Sequence, residues 1–382
     1  MDLQFLKSIR SFTVDFYKTL SGQESKNFVC SPLCIHFAMA LIGSGAKGKT
    51  RKDMGISLYF NDAIDGAIVK FNRLFHELTV TNFNIYDNCC EQLYLANRIY
   101  IQNVKNTEIV DGFKNTINSQ LHVRCDVIDL HDREEVARVT NVWCTKKTDG
   151  KINNIASSKH FEKTSLPSII IFSIVIPKFT WEYPFEEQNT KLLPFFIDDS
   201  RSIDVPTMKA KVRIDLTYAK THNAELVNIP YNANGFSMLI IMPYKASELS
   251  IVENELDKII SNFTRREGAT YVLLLPKFKI DQKLDLEISL KELGLYNLFL
   301  EKANLSGITC EKSVVLNSIF QNCFVNIVEA GSEPSSTVFS NLNSETSHYV
   351  SPQEFHVNKP FIFMIMYHDI SVIVGKVINP LY

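Results

Sequence analysis

No apolar run in this chain approaches the roughly 20 consecutive residues that a membrane-spanning helix needs. The longest, Ile169 to Ile176, is closed off by Pro167 and Pro177, so it reads as a buried strand. A surplus of one charge is also missing. Forty Lys and Arg stand against 42 Asp and Glu, a formal net charge of -2 with a pI near 6.5. That balance excludes an electrostatic case for nucleic acid or an acidic membrane surface, both of which reward a basic face. The start shows no secretory signal. Over Met1 to Leu20, residues Leu6, Ile9, Phe12, Phe16 and Leu20 recur at spacings of three and four among charged residues, which is the pattern of an amphipathic helix. The expectation is a cytoplasmic protein, with leaderless release to the extracellular space as the alternative.

Catalytic and metal-binding signatures are absent as well. Eight cysteines (Cys30, Cys34, Cys89, Cys90, Cys125, Cys144, Cys310 and Cys323) are thinly spread with no zinc-ligand spacing, which suits reduced, mostly buried thiols better than a disulfide framework. No nucleophile-elbow pattern and no His-Glu-x-x-His occur, and the nine histidines are scattered. The acidic pairs Glu186-Glu187 and Asp198-Asp199 read as solvated surface charge. No catalytic residue, metal ligand or cofactor is assigned, and the protein is not expected to be an enzyme.

What the chain does contain is 382 residues with 45% hydrophobic and 21% charged, ordinary globular composition with material for a large core. Its first third reads as mostly helical, with Ser31-Pro32 as cap and first residue of a helix through Ile35, Met39 and Ile42, and another helix near Ile68 to Leu78. From residue 168 onward strands dominate: Ile169–Ile176, Leu226–Ile229, Phe236–Met242, Tyr271–Ile280, Val314–Val328, Phe361–Met366 and Ser371–Val377. Helix-period stretches near Leu249–Ile260 and Leu284–Leu298 interrupt them. Helices early and strands late predict an α+β fold. With no repeat and no linker, residues 1–382 are taken as one domain. Ser332 to Gln353, rich in Ser, Thr, Asn, Glu and Pro, is the exception, and so long a loop is usually functional.

One motif points elsewhere. Gly43-Ser-Gly-Ala-Lys-Gly48-Lys49-Thr50 fits the phosphate-binding loop pattern letter for letter. That chemistry needs a strand immediately before the loop, so that backbone N–H groups cradle phosphate at the following helix N-terminus. Here the preceding segment looks helical, and the only acid closing a hydrophobic strand, Asp369, lies almost at the C-terminus. A glycine-rich turn between two helices is the better reading, with nucleotide hydrolysis as the weak alternative.

Further short motifs run the length of the chain: Asn27-Phe-Val-Cys-Ser31-Pro32, Gly45-Ala46-Lys-Gly48-Lys-Thr50, Leu95-Ala96-Asn97-Arg98-Ile99-Tyr100, Asn141-Val-Trp143 and Trp181-Glu-Tyr-Pro-Phe185. Then follow Val205-Pro206-Thr-Met208, Ile229-Pro230-Tyr231, Leu275-Pro276-Lys277-Phe278, Leu305-Ser306-Gly307-Ile308, Asn358-Lys359-Pro360-Phe361 and Gly375-Lys376-Val377-Ile-Asn379-Pro380. In this collinear order they resemble the serpins, the serine protease inhibitor superfamily, with a leaderless organisation. The resemblance implies helices packed on three β-sheets and an exposed reactive-centre loop, here about 331–358. It also implies action as a suicide substrate: the protease forms an acyl-enzyme with the loop, which inserts into the central sheet before deacylation. The implied partner is a target protease, of the serine class or alternatively the cysteine class, and the implied state is monomeric. Heparin activation is not expected, because the helix near Ile68 to Leu78 offers only Lys70 and Arg73.

The resemblance places the hinge at Glu329-Ala330-Gly331-Ser332-Glu333-Pro334-Ser335-Ser336-Thr337. Gly331, Ser332 and Glu333 fit the family; Pro334 departs from it, since proline has no N–H for a central ladder. This departure supports the alternative of a non-inhibitory member with a binding, carrier or chaperone-like role. Cys34, Ser173, Phe179 and Gln321-Asn322 also depart from the family in the region that opens the sheet. Counting about fourteen residues on from Gly331 puts the scissile bond at Glu345–Thr346, whereas counting back about eleven from Pro360 gives Tyr349–Val350. The first is favoured, because the segment before the cut must span the sheet at a fixed rise per residue.

Overall fold

The computed structural model describes residues 2–61, 63–80, 92–104, 107–119, 123–161, 167–219, 222–263, 268–311, 313–332 and 353–382. Helices dominate the first half: α1 (Leu3–Gln23), α2 (Pro32–Gly45), α3 (Gly48–Ser57), α4 (Ile64–Val80), α5 (Asp111–Asn118) and α6 (Arg133–Lys147). The short α7 (Leu249–Asn254), α8 (Leu256–Asn262) and α9 (Glu287–Leu290) come later. The α1 helix starts at Asp2, whose carboxylate accepts from Phe5 N at 2.8 Å, and buries Phe5, Ile9, Phe12, Phe16 and Leu20 along one face. Ser31 caps α2 through its hydroxyl and Pro32 opens it, as the sequence predicts.

The strands are β1 (Phe28–Cys30), β2 (Gln92–Gln102), β3 (Val123–Ile128), β4 (Ser168–Lys178), β5 (Lys191–Phe196), β6 (Ser202–Ala219) and β7 (Ala224–Pro230). They continue with β8 (Phe236–Pro243), β9 (Ala269–Pro276), β10 (Phe278–Asp285), β11 (Val315–Ile327), β12 (Glu354–His356), β13 (Phe361–Tyr367) and β14 (Ile370–Val377). A five-stranded sheet has the order β10-β11-β4-β2-β3. The other strands form one hydrogen-bonded path, β1-β14-β13-β8-β7-β6-β9-β12, with β5 also on β6. The long β6 belongs to two layers: Thr207–Ile214 pairs with β9 and Asp215–Ala219 with β7. Counted by layer there are three sheets, two of them sharing β6, and the α+β fold stands.

Two sequence readings need correction. Tyr271–Ile280 is two strands, because the chain leaves β9 at Pro276 and enters the five-stranded sheet at Phe278, with Lys277 between them. Leu284–Leu298 is not one helix: Leu284 and Asp285 are the last residues of β10, and beyond α9 the helical path is broken at Gly294, whose φ of 89° is left-handed. The reading also missed β2 inside the supposedly helical first third.

The inner strands of the five-stranded sheet, β2, β4 and β11, are buried on both faces, so β4 reads as an unbroken apolar run. Ile169, Ile171 and Val175 enter the main core with α2, whereas Ile170, Phe172, Ile174 and Ile176 pack beneath α6 with Trp143, Cys144 and Phe161. Arg98 of β2 pairs with Asp126 of β3 at 3.0 Å and lies over the rings of Tyr100 and Trp143, tying α6 to the sheet. No helix among the described residues is long and apolar enough to cross a membrane.

Candidate functional site: the mouth of the central sheet

The phosphate-loop match falls where the chain turns from one helix to another. Gly43 to Gly45 close α2, and Gly48 opens α3 with a φ of 54°. Gly307 N donates to Gly45 O at 2.9 Å, so this turn is packed against the Leu305–Ile308 segment rather than opened as a phosphate cradle. Asp369 sits in the turn joining β13 to β14. Lys70 and Arg73 are ion-paired with Asp2 and Glu77.

The sheet holds a geometry that the nucleotide reading does not explain. β4 and β11 run parallel and pair directly, from Val315–Ser168 to Cys323–Val175. Both are flanked on their outer edges by antiparallel neighbours, β2 and β10. Above Val175 the two strands part, and the chain leaving β11 turns back between them. Val328 and Gly331 exchange backbone hydrogen bonds at 2.9 and 3.1 Å, and Gly331 then bridges antiparallel to Thr180. Ser332 N donates to Phe179 O at 2.8 Å, and Phe179 N donates to the Ser332 hydroxyl at 2.8 Å. Ser332 is fully buried. A Cβ on Gly331 would lie 1.9 Å from Phe179 O, so only glycine permits this approach.

Side chains from four segments fix the turn. Trp181 Nε1 donates to Val328 O at 3.0 Å, and the indole stacks on Tyr231 at 4.5 Å between centroids. Phe185 N donates to Glu329 O at 3.0 Å. The Glu329 carboxylate receives Thr190 Oγ1 at 2.7 Å and Lys277 Nζ at 2.8 Å. Burial pushes this carboxyl up, but Lys277 and Thr190 outweigh it and hold it below the usual carboxylate range. Lys277 reaches Glu329 because it stands in the break between β9 and β10.

Lower in the sheet, Asn97, Ser173 and Gln321 lie side by side on β2, β4 and β11, facing α2. Gln321 clamps the start of α2, accepting from Ser31 N at 2.8 Å and donating to Ser31 O at 3.1 Å. Asn97 and Ser173, both buried, have no side-chain hydrogen bond among the described residues, and neither has Asn322 on the opposite face. Burial raises the Cys34 thiol, one turn into α2, to about 12. At the foot of β4 lies a cavity of about 260 Å³, lined by Gln102, Asn103, His131, Arg133, Ser168 and Asn317 among others.

A chain that reverses at the mouth of a parallel strand pair, beneath a Trp-capped turn, fits the family that the collinear motifs resemble. A sequence model described as Serpin (serine protease inhibitor) matches residues 7–380. The chain belongs to the serpin family. A serine protease inhibitor of Cyanea capillata is 26% identical over 377 residues, covering 96% of each chain. Human Serpin B8 is 27% identical over 380 residues, covering 97% of this chain and 98% of its own. Among solved structures, Serpin48 of the insect Tenebrio molitor superposes with a TM-score of 0.85 at 25% identity, over 99% of this serpin and 98% of that chain. Human thyroxine-binding globulin gives the same TM-score at 21% identity, a likeness of fold alone.

Of the hinge residues read from the sequence, the structure brings Glu329, Gly331 and Ser332 together at the mouth. Glu333, Pro334, Ser335, Ser336 and Thr337 lie outside the described residues, as do Glu345, Thr346, Tyr349 and Val350. Sequence reading missed Lys277, Thr190 and Pro177 as partners of the hinge. Lys277 was visible only as a motif letter, and Thr190 carried no signal at all.

Proposed function

We propose that this serpin inhibits a protease as a suicide substrate, with the cleaved loop entering the sheet between β4 and β11. The observation that carries the reading is the engagement of Ser332. It already pairs antiparallel with Phe179, and each further loop residue would descend one residue along β4. Val338 would face Ser173, and Asn343 would face Ser168, the first residue of β4. The turn at Val328 and Gly331 sets the same register against β11, bringing Val338 beside Gln321, which is Ser173's present partner. The Ser173 hydroxyl, on the seam itself, has no hydrogen bond among the described residues in the closed sheet, so parting β4 from β11 breaks none there.

The register supports Glu345–Thr346 as the reactive bond. Glu345 would sit two residues past the foot of β4, beside the cavity that carries Arg133, whereas Tyr349 would overshoot the strand by six. A Glu at the cut favours an acid-preferring serine protease, with a cysteine protease as the second class. The free thiols of Cys30, Cys34, Cys144 and Cys323, all buried, favour a reducing compartment.

The test is a panel of proteases with three readouts: SDS-stable complex, mass of the released C-terminal peptide, and melting temperature of the cleaved protein. We expect a covalent complex, a peptide beginning at Thr346, and a higher melting temperature after cleavage. Cleavage without complex and without thermal gain would instead establish a non-inhibitory, binding role, the reading that Pro334 favours by itself.

A further inference from the structure

The hinge proline looks like a ladder defect, yet the strand it would meet carries a proline too. In a β-strand alternate residues present their backbone groups to the same side. Phe179 presents both its N–H and its C=O to Ser332, so Pro177, two residues earlier, also presents its carbonyl to the incoming segment. If the register set by Gly331–Thr180 and Ser332–Phe179 continues on insertion, Pro334 would arrive opposite Pro177.

Two ordinary residues at such a position would exchange two N–H···O bonds. Neither proline has an N–H to give. Pro177 therefore asks nothing of the carbonyl of Pro334, and no reciprocal bond pulls the strands to hydrogen-bond distance against the pyrrolidine ring. Two acceptors would be left over: Pro334 O, which would lack a donor whatever residue stood at 334 because Pro177 has no N–H, and Pro177 O, the one that the hinge proline itself costs. The Ser332 hydroxyl lies 3.1 Å from it and donates to it, while the same oxygen accepts from Phe179 N. The alternative acceptor, Phe179 O at 3.3 Å, is farther and already receives Ser332 N at 2.8 Å.

We propose that Ser332 and Pro177 form a receiving site for the hinge proline: Pro177 faces Pro334 without needing its carbonyl, and the Ser332 hydroxyl replaces the donor that Pro334 lacks. This rests on the inhibitor reading above and makes Ser332 a positioning residue for insertion. The departure from the family at the hinge is then matched by its surroundings, and loop entry is not slowed by it.

A double-mutant cycle tests this. All variants carry Glu345→Arg, which gives trypsin a single site in a stretch, 331 to 358, that has no other lysine or arginine. The readout is the ratio of trapped to merely cleaving turnovers, with melting temperature before and after cleavage. Ser332→Ala should lower the ratio about tenfold, the change expected for one hydrogen bond to a buried carbonyl. Ser332→Thr, which keeps the hydroxyl, should stay within about threefold of the parent. Pro334→Ala should change the ratio less than about threefold when Ser332 is present. In the Ser332→Ala background it should restore about tenfold, because alanine brings its own N–H to Pro177 O. If Pro334→Ala raises the ratio tenfold or more equally in both backgrounds, the proline is an uncompensated defect and the proposal is overturned while the inhibitor reading survives. Cleavage of the parent without thermal gain, or no trapped trypsin in any variant, overturns both.

Discussion

Lys277→Met isolates the ion pair that holds the top of β11. It removes the ammonium from Glu329 but leaves the Thr190 hydroxyl, 2.7 Å from the carboxylate. A hydrogen bond to a charged group contributes about 1.5–3 kcal/mol, and partial exposure of Lys277, 36% against 10% for Glu329, places this pair toward the lower end, about 1–2 kcal/mol. For a chain of this length that corresponds to a drop of roughly 1–3 °C in melting temperature at fixed scan rate. The sign of the pH dependence follows from Glu329, whose folded pKa is depressed below its ordinary value of 4.5. Stability from the pair is fully present above the unfolded pKa and is lost as pH falls through the lower folded value. Thermal unfolding of the parent, Lys277→Met, Glu329→Gln and the double variant should show coupling at pH 7 that declines as pH falls below 4.5. Strict additivity at pH 7, or a coupling that grows as pH falls below 4.5, would refute the reasoning.

Two other perturbations probe the scaffold. His36 lies between Phe12 and Phe60, at 4.3 and 4.5 Å, and donates from Nε2 to Leu58 O; burial drives its pKa from 6.5 to about 3. The unfolded chain therefore takes up a proton that the folded one refuses, and stability should fall by about 1.4 kcal/mol per pH unit below 6.5, about 2 kcal/mol by pH 5. His36→Phe should flatten the denaturation-midpoint profile between pH 6.5 and 5, and an unchanged slope would exclude His36 as the cause. Asn27 gathers the C-terminus: its Oδ1 accepts from Ile378 N at 2.7 Å and Asn379 N at 3.0 Å, and its Nδ2 donates to Asn379 O and Tyr382 O. Asn27→Ala should cost about 2–3 kcal/mol in chemical denaturation, and a loss below about 0.5 kcal/mol would show that these bonds add nothing over water.

Sequence alone determined the elements whose signals are local. The α1 helix announced itself by apolar residues at threes and fours, α2 by the Ser31-Pro32 cap, and β4 by an apolar run between prolines. The ordered short motifs identified the family, because their collinearity carries more information than any one of them. The β2 strand escaped because it is buried on both faces and shows no alternation, so nothing marked it off among the surrounding helices. Tertiary structure decided the partners. Glu329 meets Lys277 across 52 residues and Gln321 meets Ser31 across 290, contacts that exist only once distant strands have taken their register. The same holds for the hinge. In sequence Pro334 is a residue that cannot donate to a ladder; that Pro177 O already has the Ser332 hydroxyl as its donor is visible only once Ser332 has taken its register on Phe179. Propensity belongs to a residue and its neighbours in the chain, whereas the fit of a missing donor depends on the facing strand, and that is settled by packing.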